Sequence, residues 1–119
     1  MEKREIGNLG EDIATAFLQQ KGYAIIKRNF LCRVGEIDII AQKDGYLCFV
    51  EVKLRKNAEH GEAREFVTRS KQKKIILAAK YYLSKKPTEL QPRFDVVEVY
   101  MPGGANGKTY VRLLENAFE

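Results

Sequence analysis

The 119-residue chain has no tryptophan, one histidine, two cysteines and three prolines. Each scarcity excludes something. With Cys32, Cys48 and His60 as the whole stock of soft ligands, neither a four-ligand structural zinc site nor a disulfide framework can be assembled. Mechanisms needing two histidines are excluded, and a Ser-His-Asp triad would rest on His60 alone, which no supporting pattern surrounds. Long apolar runs are missing too. The uninterrupted apolar stretches are only a few residues long, and no charged N-region precedes an apolar block of signal-peptide length. The expectation is a cytoplasmic protein with no membrane partner. Any chemistry must be carried by carboxylates and lysines.

What is present is 45% hydrophobic and 31% charged residues, enough for one domain with its own core across residues 1–119. The net charge of +5 is unevenly placed. Between Lys53 and Lys74 stand eight basic residues (Lys53, Arg55, Lys56, Arg64, Arg69, Lys71, Lys73 and Lys74) against three acidic ones (Glu59, Glu62 and Glu65), and the rest of the chain is neutral. A polyanionic partner is the natural inference, and a solvated basic face is the plainer alternative.

Leu9, Ile13, Ala16 and Phe17 recur at helical spacing, with Asn8 placed to cap the start and Gly22 the end, which predicts a helix over 8–21. Residues 23–30 read as a half-exposed strand, Arg33-Val34-Gly35 as a turn, and Glu36 to Gln42 as the next strand. Asp44-Gly45 is a two-residue hairpin signal leading into YLCFVEVKL. Ile75, Ala79, Tyr82 and Leu83 mark a second helix from about Thr68 to Ser84, ended near Pro87, with Tyr81 and Tyr82 as packing residues. Two further strands follow, over 94–100 and 109–114. The order αβββαββ implies an α/β or α+β domain, a mixed central sheet flanked by helices.

Alternation along the strands puts Glu36 and Asp38 on one face, Ile37 and Ile39 on the other, and Glu51 with Lys53 opposite Val50 and Val52. With Asp44 and Gly45 as the turn, Asp38 falls opposite Glu51, and Glu36 opposite Lys53. Directly opposed carboxylates destabilise a sheet unless a cation compensates. Mg²⁺ (or Mn²⁺) does so well, since it takes one or two carboxylates plus waters and a substrate phosphate. An exposed hairpin face with Glu36 paired to Lys53 is the structural alternative. Against it, Cys48-Phe49-Val50 and Ile39-Ile40-Ala41 adjoin the charges and mark strands of a buried sheet, where charge is costly without a purpose.

Asp38 followed by Glu51-Val52-Lys53 resembles the D…ExK signature of the PD-(D/E)xK nuclease superfamily. The segments GNLGEDIATAFLQQKGYAIIKRNF, GEIDIIA, FVEVKLRK and RFDVVEV, spanning Gly7 to Tyr100, resemble the YraN family of small bacterial proteins, which is similar to archaeal Holliday-junction resolvases. The resemblance implies a restriction-endonuclease-like αβββαβ core. It implies Asp38 and Glu51 as metal ligands, Lys53 as the catalytic lysine, and Glu11 on the first helix as a further acid. An exposed acid favoured by the dipole of a nearby helix N-terminus accounts for Glu11 equally well. Arg55, Lys56, Arg69, Lys71, Gln72, Lys73 and Lys74 are the candidate nucleic-acid contacts, and Arg93 with Asp95 reads as a local ion pair without chemistry.

The leading expectation is a metal-dependent endonuclease acting on DNA, including branched, Holliday-junction-like DNA, with a homodimer implied by the need to cut two strands. The alternatives are a nucleic-acid-binding module that keeps the fold with little or no turnover, and a protein-interaction subunit.

Overall fold

A computed structural model describes residues 3–55, 67–102 and 107–119, with side chains from Asn8 onward. Seven elements follow in the expected order: α1 (Lys3–Gln20), β1 (Ala24–Cys32), β2 (Gly35–Lys43), β3 (Tyr46–Arg55), α2 (Arg69–Lys85), β4 (Gln91–Tyr100) and β5 (Tyr110–Phe118). They form a mixed sheet in the spatial order β1-β2-β3-β4-β5. Neighbours are antiparallel except β3 and β4, which run parallel because α2 carries the chain back between them. This is a mixed α+β architecture with a restriction-endonuclease-like core.

Helix α1 starts five residues before Asn8, so Asn8 lies within the helix and caps nothing. Lys3, Arg4 and Glu5 are good helix formers, which is what lets the extra turn form. Its buried stripe is Gly10, Ala14 and Leu18 rather than one through Ala16, which is exposed. The far end is a Schellman cap: Gly22 sits at φ +95°, its N–H bonds Gln19 O at 3.0 Å, and Tyr23 N–H bonds Leu18 O at 2.9 Å. Helix α2 opens on Thr68, whose hydroxyl accepts from Lys71 N–H at 3.1 Å. The Asp44-Gly45 turn has both residues at positive φ, 50° and 85°, as a two-residue hairpin with the strands' own twist requires.

The two helices cover opposite faces. Ala14 and Leu18 of α1 pack with Ile39, Ala41, Cys48, Val50, Val97 and Val99; Ile75, Ala78, Ala79 and Tyr82 of α2 pack with Ile37, Ile40, Leu47, Phe49 and Val96. Strand β3 therefore alternates between two cores, and this is why YLCFV reads as a continuous apolar run. Gly35 lets α2 settle against the start of β2: a Cβ there would lie 3.0 Å from the backbone oxygen of Lys74.

Strand β2 does not keep the expected alternation. Ile37 belongs to the core under α2 and Ile39 to the core under α1, so the two do not share a face. The cause lies on β1. Its ladder pairs Arg28 with Ile39 and Phe30 with Ile37 but skips Asn29 and Asp38, and Asn29 has left-handed backbone, φ 55°. Asn tolerates that conformation better than most residues, and one such residue suffices to bend the edge of the sheet.

Candidate active site

The bend opens the sheet at Asp38. The β2–β3 ladder runs from Lys43↔Tyr46 to Ile39↔Val50 in the register read from the hairpin, and stops there. Asp38 and Glu51 are the next residues on the two strands, so they face one another just where the pairing ends. Instead of a continued ladder, Asp38 Oδ2 accepts the Val52 backbone N–H at 2.8 Å. The carboxylate thus fills the place of a ladder acceptor, and its other oxygen is left for a different partner. The expected Glu36–Lys53 pairing does not form: Glu36 pairs Leu31 of β1, and Lys53 stands beside Glu98 of β4 in the parallel register.

Glu51 shares the α2 side of the sheet with Phe49 and is 5% exposed. Burial, reinforced by the negative charge of Asp38, pushes its carboxyl up to about 7. Asp38 is also raised, by burial first, against the pull of the Val52 N–H. Two carboxyls that both resist ionising in one small space can bind a cation strongly, because the cation relieves desolvation and repulsion at once. One protein cation already leans in. Lys71 Nζ, from the first turn of α2, lies 3.7 Å from Glu51 Oε1.

Glu11 reaches the same region from the other helix. It lies well inside α1 rather than near its N-terminus, so the helix-dipole account of it fails. Its carboxyl is raised by burial and then by Asp38, with Arg28 opposing. Arg28 Nη2 stands 4.0 Å from it and donates to Asp12 at 2.8 Å. The Asn29 amide nitrogen, oriented by the hydrogen-bonding pattern, donates to both Glu11 oxygens at 2.8 and 3.2 Å. The strained residue that bends β1 thus also holds an acid beside Asp38.

The remaining candidates separate. Gln72 spends its amide on the Val67 carbonyl at 2.9 Å, a bond that secures the start of α2. Arg69, Lys73 and Lys74 are exposed on the first turns of α2, on the same helix as Lys71. Arg55 is turned inward, with Nε 3.9 Å from the buried Glu98. Lys56 and the His60-Gly61 loop lie outside the described residues.

Residues 10–99 match the sequence pattern of the uncharacterised protein family UPF0102. A UPF0102 protein of Caldicellulosiruptor saccharolyticus is 44% identical over 119 residues, covering 99% of this chain and all of the relative. The chain belongs to UPF0102. This is the YraN family to which the motifs pointed. Other UPF0102 relatives include one from Symbiobacterium thermophilum, 47% identical over 116 residues and covering 97% of each chain, and one from Clostridium perfringens, 50% identical over 97 residues and covering 81% of this chain and 80% of the relative.

Within this UPF0102 chain no cluster of three or more His, Cys, Asp or Glu side chains is arranged as a metal cage among the described residues. A small hard cation that keeps most of its waters needs only one or two carboxylates, and Asp38 and Glu51 are residues of that kind. Sequence reasoning missed one participant in the site, Asn29, and outside it the buried Glu98 and its neighbour Arg112. Asn29 gave a faint signal as a polar residue inside a strand, Glu98 a clearer one as an acid among the valines of RFDVVEV, and Arg112 none.

No helix among the described residues is long and apolar enough to cross a membrane. Elsewhere the local ion pair read from the sequence is present, and the structure adds that its acid is buried. Arg93 holds the fully buried Asp95 through Nε and Nη2 at 2.9 Å each, Asn116 N–H adds a third donor, and Arg93 also donates to Tyr23 Oη. This network ties β4 to β5 and to the chain after α1, at a distance from the candidate acids along the strands.

Proposed function

We propose that the protein is a metal-dependent endonuclease that hydrolyses DNA phosphodiester bonds, with branched, Holliday-junction-like DNA as its substrate class and Mg²⁺ or Mn²⁺ as its cofactor. The observation that carries the reading is the pair Asp38 and Glu51, held together and largely out of water at a point where the sheet stops pairing. Asp38 and Glu51 would hold the cation, which when bound supplies positive charge at the scissile phosphate and favours ionisation of water.

The chain's own residues do the rest. The Val52 N–H fixes Asp38 in one orientation, so the pair is preorganised before substrate arrives. Lys53, two residues beyond Glu51 on the same face, donates to the phosphate oxygens as charge builds there, while water attacks phosphorus in line and the 3′ oxygen leaves. Glu11 is aimed by Asn29 and accepts a proton from the attacking water, a role its raised affinity for protons suits. Lys71, which leans on Glu51, would contact the phosphate backbone alongside Arg69, Lys73 and Lys74. Contacts of this kind carry no sequence information, so recognition rests on the shape of the DNA. A homodimer presenting two such sites would cut the two strands of a junction.

The test is incubation of wild type and Lys53→Ala with labelled linear, flapped and four-way DNAs in Mg²⁺ or Mn²⁺. Cleavage of the branched substrates by wild type, lost in EDTA and in Lys53→Ala, is expected. If wild type cuts no member of the panel while binding metal at Asp38 and Glu51, the fold serves as a nucleic-acid-binding module instead.

A further inference from the structure

Helix α2 carries six basic side chains and no acidic one. It buries Ile75, Ala78, Ala79 and Tyr82, and leaves two apolar side chains on its outer surface, Leu77 at 49% exposure and Tyr81 at 46%. Being four residues apart, these two are neighbours on the helix. The other positions three and four residues from Leu77 are Lys73, Lys74 and Lys80, and Lys85 follows Tyr81 at the same spacing. An apolar pair is thus ringed by four ammonium groups. Among the described residues Lys71 has an acidic partner in Glu51, whereas these four lysines have none. The surface continues onto the sheet. The Tyr81 ring lies 6.3 Å from that of Phe30 on the edge strand β1, Phe30 packs edge-on against Tyr82 at 5.3 Å, and Lys85 Nζ stands 5.7 Å from the Tyr81 centroid.

A single exposed leucine or tyrosine needs no explanation. Their pairing with unneutralised positive charge selects the chemistry of a partner. DNA phosphates would satisfy the lysines but leave Leu77 uncovered, since an aliphatic side chain offers a base no stacking face, and the Tyr81 ring is already engaged by Lys85 and Phe30. An acidic chain with an apolar side chain among its carboxylates meets both demands. We propose that this flank of α2 docks an acidic peptide segment of a partner protein. An aliphatic or aromatic side chain of that segment lies on Leu77 and Tyr81, and its carboxylates reach Lys73, Lys74, Lys80 and Lys85. The docking surface does not depend on the nuclease reading. Lys73 and Lys74 also belong to the phosphate contacts of that reading, so segment and DNA compete for them.

The experiment titrates wild type, Leu77→Ser and Lys80→Gln in EDTA with three labelled probes: a peptide in which aspartates flank a Leu-Phe pair, the same peptide with Ser-Ser in place of that pair, and a DNA duplex. No cleavage takes place in EDTA, so the outcome is separate from whether the protein is a nuclease. Wild type should bind the Leu-Phe peptide, more weakly as salt rises. Replacing the Leu-Phe pair, or Leu77→Ser, should each weaken that binding roughly fivefold, the effect of covering the exposed half of one leucine. Lys80→Gln, on the rim, should weaken it about twofold. Duplex affinity should be unchanged in Leu77→Ser, because phosphate contacts make no use of a leucine. Leu77 is half outside the core, so the serine variant should fold; melting curves check this, and Leu77→Gln replaces it if it does not. Equal binding of the two peptides by wild type would leave only a solvated basic face. A loss of duplex affinity in Leu77→Ser matching the peptide loss would give the surface to nucleic acid. A wild-type dimer in sedimentation that Leu77→Ser dissociates would give it to a second copy of the chain. Each of these three results, or failure of wild type to bind the Leu-Phe peptide, overturns the proposal.

Discussion

Glu51→Gln should stabilise the metal-free protein at alkaline pH, and the size of the effect follows from the site. The carboxyl of Glu51 is raised from 4.5 to about 7, by burial first and by Asp38 second. A folded-state pKa above the unfolded value means that the native protein binds the extra proton between these limits, so stability falls as pH rises through that window. The upward shift converts to roughly 3 kcal/mol of destabilisation, present in full above about pH 8 and less than about 1 kcal/mol near pH 5. Glutamine keeps the shape and removes the charge. It also loses the Lys71 contact at 3.7 Å, a modest subtraction for a partly exposed ammonium. The net gain at pH 8 should be about 1–2 kcal/mol, or several degrees in melting temperature, and should vanish near pH 5. Paired thermal or urea unfolding of wild type and Glu51→Gln at pH 5 and pH 8 measures it. In Mg²⁺ wild type should recover stability and the variant should not, because only a species that binds the ion is stabilised by it. A difference between the two proteins that is the same at both pH values would refute the reasoning, since the destabilisation would then not come from ionising Glu51.

Other sites give independent checks. Lys71→Gln removes the cation that leans on Glu51, so the carboxyl should titrate at higher pH still and, in protein at pH 8, Mg²⁺ should raise the melting temperature more than in wild type; NMR titration of Glu51 and melting curves report both. Asp95→Asn takes the negative charge from a network in which Arg93 is well buried, which should cost about 3–5 kcal/mol of unfolding free energy, read by urea denaturation. Gly35→Ala places a methyl 3.0 Å from the Lys74 backbone oxygen, and displacing α2 to admit it should cost about 1–3 kcal/mol and shift the NMR signals of the first turns of α2.

Much of this protein was legible in local pattern. Asp44-Gly45 between two apolar runs could only be a tight hairpin, and that turn fixed which residues of β2 and β3 face each other, from Lys43↔Tyr46 to Ile39↔Val50. Thr68 ahead of an apolar helical repeat, and Gly22 after another, bounded the helices because backbone donors and acceptors at helix ends need partners nearby in sequence. Asp38, Glu51 and Lys53 could be placed together for the same reason: their proximity depends on a short hairpin. Proximity set by distant segments was not readable. Strict alternation put Ile37 and Ile39 on one face, and only the folded sheet, with left-handed Asn29 opposite Asp38, decided that they enter different cores and that Asp38 turns into the gap between strands. The Lys71 ammonium near Glu51 and the Asn29 amide on Glu11 join residues from separate elements, and α1 and α2 bring them in by packing on opposite faces. Glu98 shows the limit most clearly. Its neighbours Lys53 and Arg112 come from a parallel pairing across a helix and from an edge strand, and such pairings are chosen by burial of the whole sheet rather than by any residue next to Glu98 in the chain.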